Sequence, residues 1–197
     1  MKKGIKTHEE KALEALLSEF GQIHIHDTFL PQMAETLTAN QRKEALQLIT
    51  MIKEKRFGKV KARACVDGRK QRRYIKKDGV SSPTVQQESL IISMMIDAKE
   101  RRDVVRAYLL ADMNDYVLIR LTGEPVATMC GISKEYNKYV THKGGRKVLY
   151  LKLKKVLYGC IQSAILWYDT FKGCLEEIRF KLNKYDPCVA NKLIDGK

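Results

Sequence analysis

From Lys59 to Gly68 the chain reads Lys-Val-Lys-Ala-Arg-Ala-Cys-Val-Asp-Gly. Val60, Ala62, Ala64 and Val66 alternate with Lys59, Lys61, Arg63 and Cys65. A period of two belongs to a strand, because successive Cβ atoms point to opposite faces of a pleated chain. The strand must therefore bury one apolar face and offer one largely basic face. Asp67-Gly68 predicts a turn, and Arg69 to Tyr74 a second strand or a loop. Residues 53–77 hold twelve basic and two acidic side chains, so most of the formal charge of +14 sits on this ribbon.

That charge points to a polyanionic partner, most simply nucleic acid. With 44% hydrophobic residues in 197, the chain can bury a core. No apolar run approaches the roughly 20 residues that span a bilayer, and the basic ribbon lacks the apolar face of a membrane-surface helix. Met1 to Lys6 is basic but leads into Thr-His-Glu-Glu rather than an apolar leader. An intracellular location with no membrane partner is expected. Cys65, Cys130, Cys160, Cys174 and Cys188 are odd in number and widely spaced, which suits reduced structural thiols. His24-Ile25-His26-Asp27 lacks a second ligand group and reads as an exposed turn.

Elsewhere helical and extended patterns alternate. Thr7 and Glu10 form a capping-box pair ahead of Leu13, Leu16, Leu17 and Phe20, and Gly21 is expected to stop that helix. Thr38 and Gln41 predict a second helix whose apolar face is Ala45, Leu46, Ile49 and Ile52, ending at Gly58. Ser82-Pro83-Thr84 opens a third, with Leu90 to Ile96 apolar nearly all round and so buried. Tyr116 to Leu121 predicts a strand, and residues 123–138 a loop. Tyr139-Val140, Gly144-Gly145 and Val148 to Leu153 predict a hairpin. Ile161, Ala164, Ile165, Tyr168, Phe171, Leu175 and Ile178 share the face of a long helix. Cys188 to Ala190 predicts a strand running into Asp195-Gly196, a turn signal with one residue after it, and so a truncated hairpin.

Four stretches resemble the reverse transcriptase of copia-type long-terminal-repeat retrotransposons. They are Lys61 to Gly68, Ser81-Ser82-Pro83-Thr84-Val85, Ala107 to Met113, and Leu153-Lys154-Lys155-Val156-Leu157-Tyr158-Gly159. The last is followed by Trp167-Tyr168 and by Tyr185-Asp186-Pro187-Cys188-Val189. The resemblance implies an α+β fold: the fingers and partial palm of a right-hand polymerase, with helices packed on antiparallel strands. Residues 1–50 would be an N-terminal helical lead-in, and 51–197 one incomplete domain. The implied activity is RNA-directed DNA polymerisation with Mg²⁺ held by three aspartates. The implied partners are an RNA or DNA template-primer, deoxynucleotide triphosphates and the rest of a Pol polyprotein.

Carried over by motif, Asp103 would be the catalytic, metal-binding aspartate, with the Val104 carbonyl assisting. Lys61 and Arg63 would approach the triphosphate, since a guanidinium can clamp phosphate oxygens twice. Tyr108 would lie under the sugar of the incoming nucleotide. Tyr158 and Gly159 would lie near nucleotide and template, where a missing side chain allows close approach. Without the resemblance, Lys61 and Arg63 read as a solvated strand face, Tyr108 as a core aromatic, and Trp167 and Tyr168 as core packing.

The departures bear on activity. No Asp-Asp pair occurs in the sequence, and Asp103 follows Lys99-Glu100-Arg101-Arg102 where the family places an apolar strand. Burying two arginines there would cost several kcal/mol unless each is paired. Ser163-Ala164 stands where relatives often have proline. A polymerase fragment without turnover is therefore expected, and the alternative is a non-catalytic nucleic-acid-binding module that uses the 53–77 ribbon.

Overall fold

The computed structural model describes residues 2–76, 80–89, 91 and 107–193. The helix expected from Ser82 does not start there: residues 82–86 are not helical, Gln87 to Ser89 and Ile91 are, and Ile91 is 53% exposed rather than buried. The rest of 90–96, the Asp195-Gly196 turn, and Asp103 and Val104 lie outside the described residues.

The centre of the fold is β6 (Arg146–Leu153), whose Val148, Leu149, Tyr150 and Leu151 are consecutive and all buried. Four such residues in a row can be satisfied only by a strand covered on both faces. β4 (Leu118–Thr122) pairs with β6 antiparallel, and β1 (Phe29–Gln32) and the short β5 (Thr141–Lys143) pair along its other side. β4 in turn pairs with β2 (Leu46–Glu54), which makes an antiparallel hairpin with β3 (Val60–Val66). The six-stranded order is β1-β6-β4-β2-β3, with β5 attached to β6. The β2–β4 pair is parallel, so the sheet is mixed rather than wholly antiparallel as expected. The class is α+β.

One face of the sheet is covered by α1 (Lys2–Ile25) and α3 (Glu124–Ile132). Leu16, Phe20 and Ile23 of α1 meet Ala62, Ala64 and Val66 of β3, with Ile119, Leu121, Leu149 and Leu151 in the same core. The opposite face is smaller: Leu118, Val148 and Tyr150 pack against Ala34, Leu37 and Ala45. α4 (Ser163–Glu177) brings Leu166 and Trp167 against the main core, and a two-stranded ladder, β7 (Lys181–Leu182) with β8 (Ala190–Asn191), follows it.

Several expectations are corrected. The second helix does not run to Gly58. Its capping box forms, with Gln41 N–H donating to Thr38 Oγ1 at 3.1 Å and Thr38 N–H to Gln41 Oε1 at 2.8 Å, but α2 (Ala39–Glu44) is six residues long. β2 follows, because Leu46, Leu48 and Thr50 are buried at a period of two. The expected helical lead-in therefore contains β1 and the first half of β2, and β2 continues across residue 50.

α1 starts at Lys2 and continues through Gly21 to Ile25, so Gly21 does not stop it and His24-Ile25 belong to the helix. Burying Ile23 in the next turn outweighs the roughly 1 kcal/mol that an interior glycine costs. The expected loop at 123–138 is α3 followed by a 3₁₀ segment, Lys134–Tyr139. Residues Gly68–Arg73 are also 3₁₀ rather than extended.

Candidate functional site: a basic cavity along the edge of β3

β3 is the last strand of its sheet, so alternate amides face away from β2. Two of them have partners. Ala64 N–H donates to Glu19 Oε1 of α1 at 2.9 Å, and Val66 N–H donates to the Tyr158 carbonyl at 2.7 Å. An unsatisfied buried amide is unfavourable, so these contacts hold α1 and the 157–160 turn against the strand. Gly159 makes the second approach possible. Its φ is +95°, and a Cβ there would lie 2.0 Å from the Val66 carbonyl oxygen. Gly68 meets the same turn, where a Cβ would lie 2.2 Å from the Gly159 oxygen. Gly159 is thus required by backbone packing within this chain.

A buried amide network fixes the turn from below. Gln71 is fully buried and donates through Nε2 to Gln162 Oε1 at 2.9 Å, while Ile161 N–H donates to Gln71 Oε1 at 3.0 Å. Gln162 Nε2 donates on to Asp115 Oδ2 at 3.0 Å. Asp67 caps the 3₁₀ segment and forms a bidentate pair with Arg69, Nε to Oδ1 at 2.8 Å and Nη2 to Oδ2 at 2.6 Å. The Arg69 guanidinium holds the Asp67 carboxyl at a pKa of about 2.

Between α1, β3 and this turn lies a cavity of about 730 Å³. It is lined by Lys55, Lys59, Lys61 and Arg63 from the β2–β3 hairpin, Ser18, Glu19 and Gln22 from α1, and Tyr108, Tyr158 and Trp167. Four cations thus face one carboxylate, and that carboxylate already accepts the Ala64 amide. The aromatic wall is ordered by its own contacts. Tyr108 and Tyr158 meet edge to face with ring centroids 4.7 Å apart. The Arg63 guanidinium lies over the Tyr158 ring at 4.6 Å, a cation–π contact that orients its donors. Trp167 stacks on Phe171 at 5.4 Å and also lines the cavity.

Lys61, Arg63, Tyr108 and Tyr158, singled out from three separate stretches of sequence, therefore line one cavity. Gly159 sits behind it. Sequence reasoning gives no sign of Glu19 or Gln22, names Lys55 and Lys59 only as part of the 53–77 ribbon, and reads Trp167 as core packing. Lys55 and Lys59 had a signal in the basic run. Glu19 had none, because edge capping depends on which helix crosses which strand.

The chemistry open to this cavity is binding of a polyanion with a planar group. It offers no activated thiol: burial pushes the Cys65 thiol up despite nearby Arg63, with Glu19 adding to the rise. The expected magnesium ligands, Asp103 and Val104, lie outside the described residues. Among the described residues no group of three or more His, Cys, Asp or Glu could hold a metal ion. Glu19 is engaged by Ala64, and Asp112 pairs with Lys155 Nζ at 2.7 Å. Among the described residues, no helix is long and apolar enough to cross a membrane. No protein family, curated protein or solved structure matches the chain.

Proposed function

We propose that this chain derives from a copia-type reverse transcriptase and keeps the part that holds nucleic acid and nucleotide, without turnover of its own. The observation that carries this reading is the meeting of Lys61, Arg63, Tyr108 and Tyr158 at one cavity. A triphosphate or strand phosphates would lie against Lys61 and Arg63, where forked guanidinium donors suit phosphate oxygens. Tyr108, held edge-on by Tyr158, would carry the sugar. The described segments correspond to the fingers and part of the palm in this reading. Template-primer RNA or DNA and deoxynucleotide triphosphates are the partners.

Catalysis in such enzymes depends on Mg²⁺ held by three carboxylates, which stabilises charge on the reacting phosphate. This sequence has no Asp-Asp pair, and Asp103 is its single candidate for the set. The chain alone is therefore expected to bind template-primer and fail to extend it. A second reading, a nucleic-acid-binding module with no polymerase role, is favoured by the four cations set against one carboxylate at the cavity.

The test is template-primer binding and extension by the purified chain with Mg²⁺. The expected result is affinity that falls steeply with salt and no incorporated nucleotide. Incorporation would overturn the absence of turnover. Binding without salt dependence, or none, would overturn both readings. Specific triphosphate binding at the cavity separates the polymerase-derived reading from the plain binding module.

A further inference from the structure

The tip of the β2–β3 hairpin carries a side chain that neither the core nor the cavity uses. Phe57 is 104% exposed. It stands in a three-residue turn, Arg56–Gly58, closed by the Lys55 amide donating to the Lys59 carbonyl at 2.7 Å. Its φ is 66° and ψ 26°, and Gly58 follows at φ 70°. Two left-handed residues in succession are the backbone that Asn-Gly adopts without strain, whereas a bulky side chain there is an outlier. Phe57 thus occupies a position that backbone preference assigns to another residue, and burial gives it nothing in return.

Its surroundings indicate a partner. Lys53, Lys55, Arg56 and Lys59 are all exposed beside it, and Glu54 is the one acidic residue from Lys53 to Val66. Lys55 and Lys59 also line the cavity, so the tip continues the basic surface described above. A lone ring among cations is the composition of a single-strand-binding surface, in which a base stacks on the aromatic face and phosphates meet the charges. A membrane surface would call for a broader apolar face. The other large apolar side chains exposed on this hairpin, Ile49 and Met51, lie back along β2.

We propose that Phe57 is a base-stacking residue, and that the hairpin tip holds single-stranded nucleic acid with Lys55, Arg56 and Lys59 on the phosphates. This rests on the nucleic-acid reading above and adds a contact outside the cavity. The experiment measures binding of a labelled oligothymidylate, and of an abasic strand of equal length and charge, to wild type, Phe57→Ala, Phe57→Trp and Phe57→Asn. Phe57→Ala and Phe57→Asn should each weaken oligothymidylate binding at least about fivefold, leave the salt slope unchanged, and have no effect on the abasic strand. Phe57→Trp should restore binding.

Phe57→Asn should also raise the melting temperature, which separates lost stacking from lost folding. Oligothymidylate affinities within twofold of wild type for the alanine and asparagine variants would overturn the proposal. So would equal losses on both strands, or a loss confined to anionic phosphatidylserine vesicles. Failure of wild type to bind either strand would instead sink the parent reading.

Discussion

β6 and β3 belong to one sheet and are built to different demands. In β6 the run Val148 to Leu151 and Leu153 are buried, and even the positions that should alternate outward, Val148 and Tyr150, are covered by Ala34, Leu37 and Ala45. In β3 only Ala62, Ala64 and Val66 are buried, while Lys61 and Arg63 remain exposed. The fold therefore dictates both faces of the central stretch of β6 and only the even positions of β3. Charge clustered where packing does not require it is the charge best assigned to a partner.

The contrast breaks most severely at the turn that closes the β3 edge. Gly159→Ala should destabilise by at least about 3 kcal/mol in urea unfolding, because the new Cβ meets the Val66 carbonyl at a left-handed φ. Gly144→Ala supplies the control. Its φ is +57° but nothing lies within 4 Å, so only about 1–2 kcal/mol is expected. Equal losses at the two sites would refute the close approach.

The two strands can be compared directly. Leu151→Ala should cost about 2–5 kcal/mol, since a fully buried side chain leaves a cavity behind. Lys61→Ala should change stability by no more than about 0.5 kcal/mol while weakening polyanion binding. Glu19→Ala lies between them. It frees the Ala64 amide at the edge and should cost about 1–3 kcal/mol, while Glu19→Gln, which keeps an acceptor, should lose less.

These contrasts also separate what could be read in the sequence from what could not. β3 was legible because its alternation was strict, and the 139–153 hairpin because Gly144-Gly145 marked its turn. β2 was misread because Ala45, Leu46, Ile49 and Ile52 satisfy helical spacing as well as Leu46, Leu48 and Thr50 satisfy a strand. Pairing with β3 and β4 decided the matter, and no local window contains that. α3 had a signal that was passed over: Pro125 in the first turn, with Val126 and Met129 three apart and both buried. At the site, the residue types in Lys61, Arg63, Tyr108 and Tyr158 were recognisable by motif. Their meeting with Glu19 and Trp167 required the path of α1 and α4.

A further contrast comes with pH. Burial pushes the Cys160 thiol up to about 12 from 9.0. Its folded pKa is raised, so its contribution is intact below about pH 9, where the unfolded thiol ionises, and is lost as pH rises toward 12. Stability measured from pH 8 to 11 should fall, and Cys160→Ala should flatten that slope. An unchanged slope would show that other groups, such as buried Tyr136 with its pKa also pushed up to about 12, carry the alkaline loss.

The central claim is that the exposed cations of β3 serve a nucleic-acid partner at the cavity. The most direct measurement is template-primer affinity across a salt series for wild type, Lys61→Ala, Arg63→Ala and the double variant. The account predicts a steep log–log slope in wild type that becomes shallower by about 0.9 for each phosphate contact removed, with the melting temperature unchanged in Lys61→Ala and lowered only slightly where the Arg63 contact with Tyr158 is lost. Identical slopes in all four proteins would show that these side chains are only a solvated strand face, and would contradict the account.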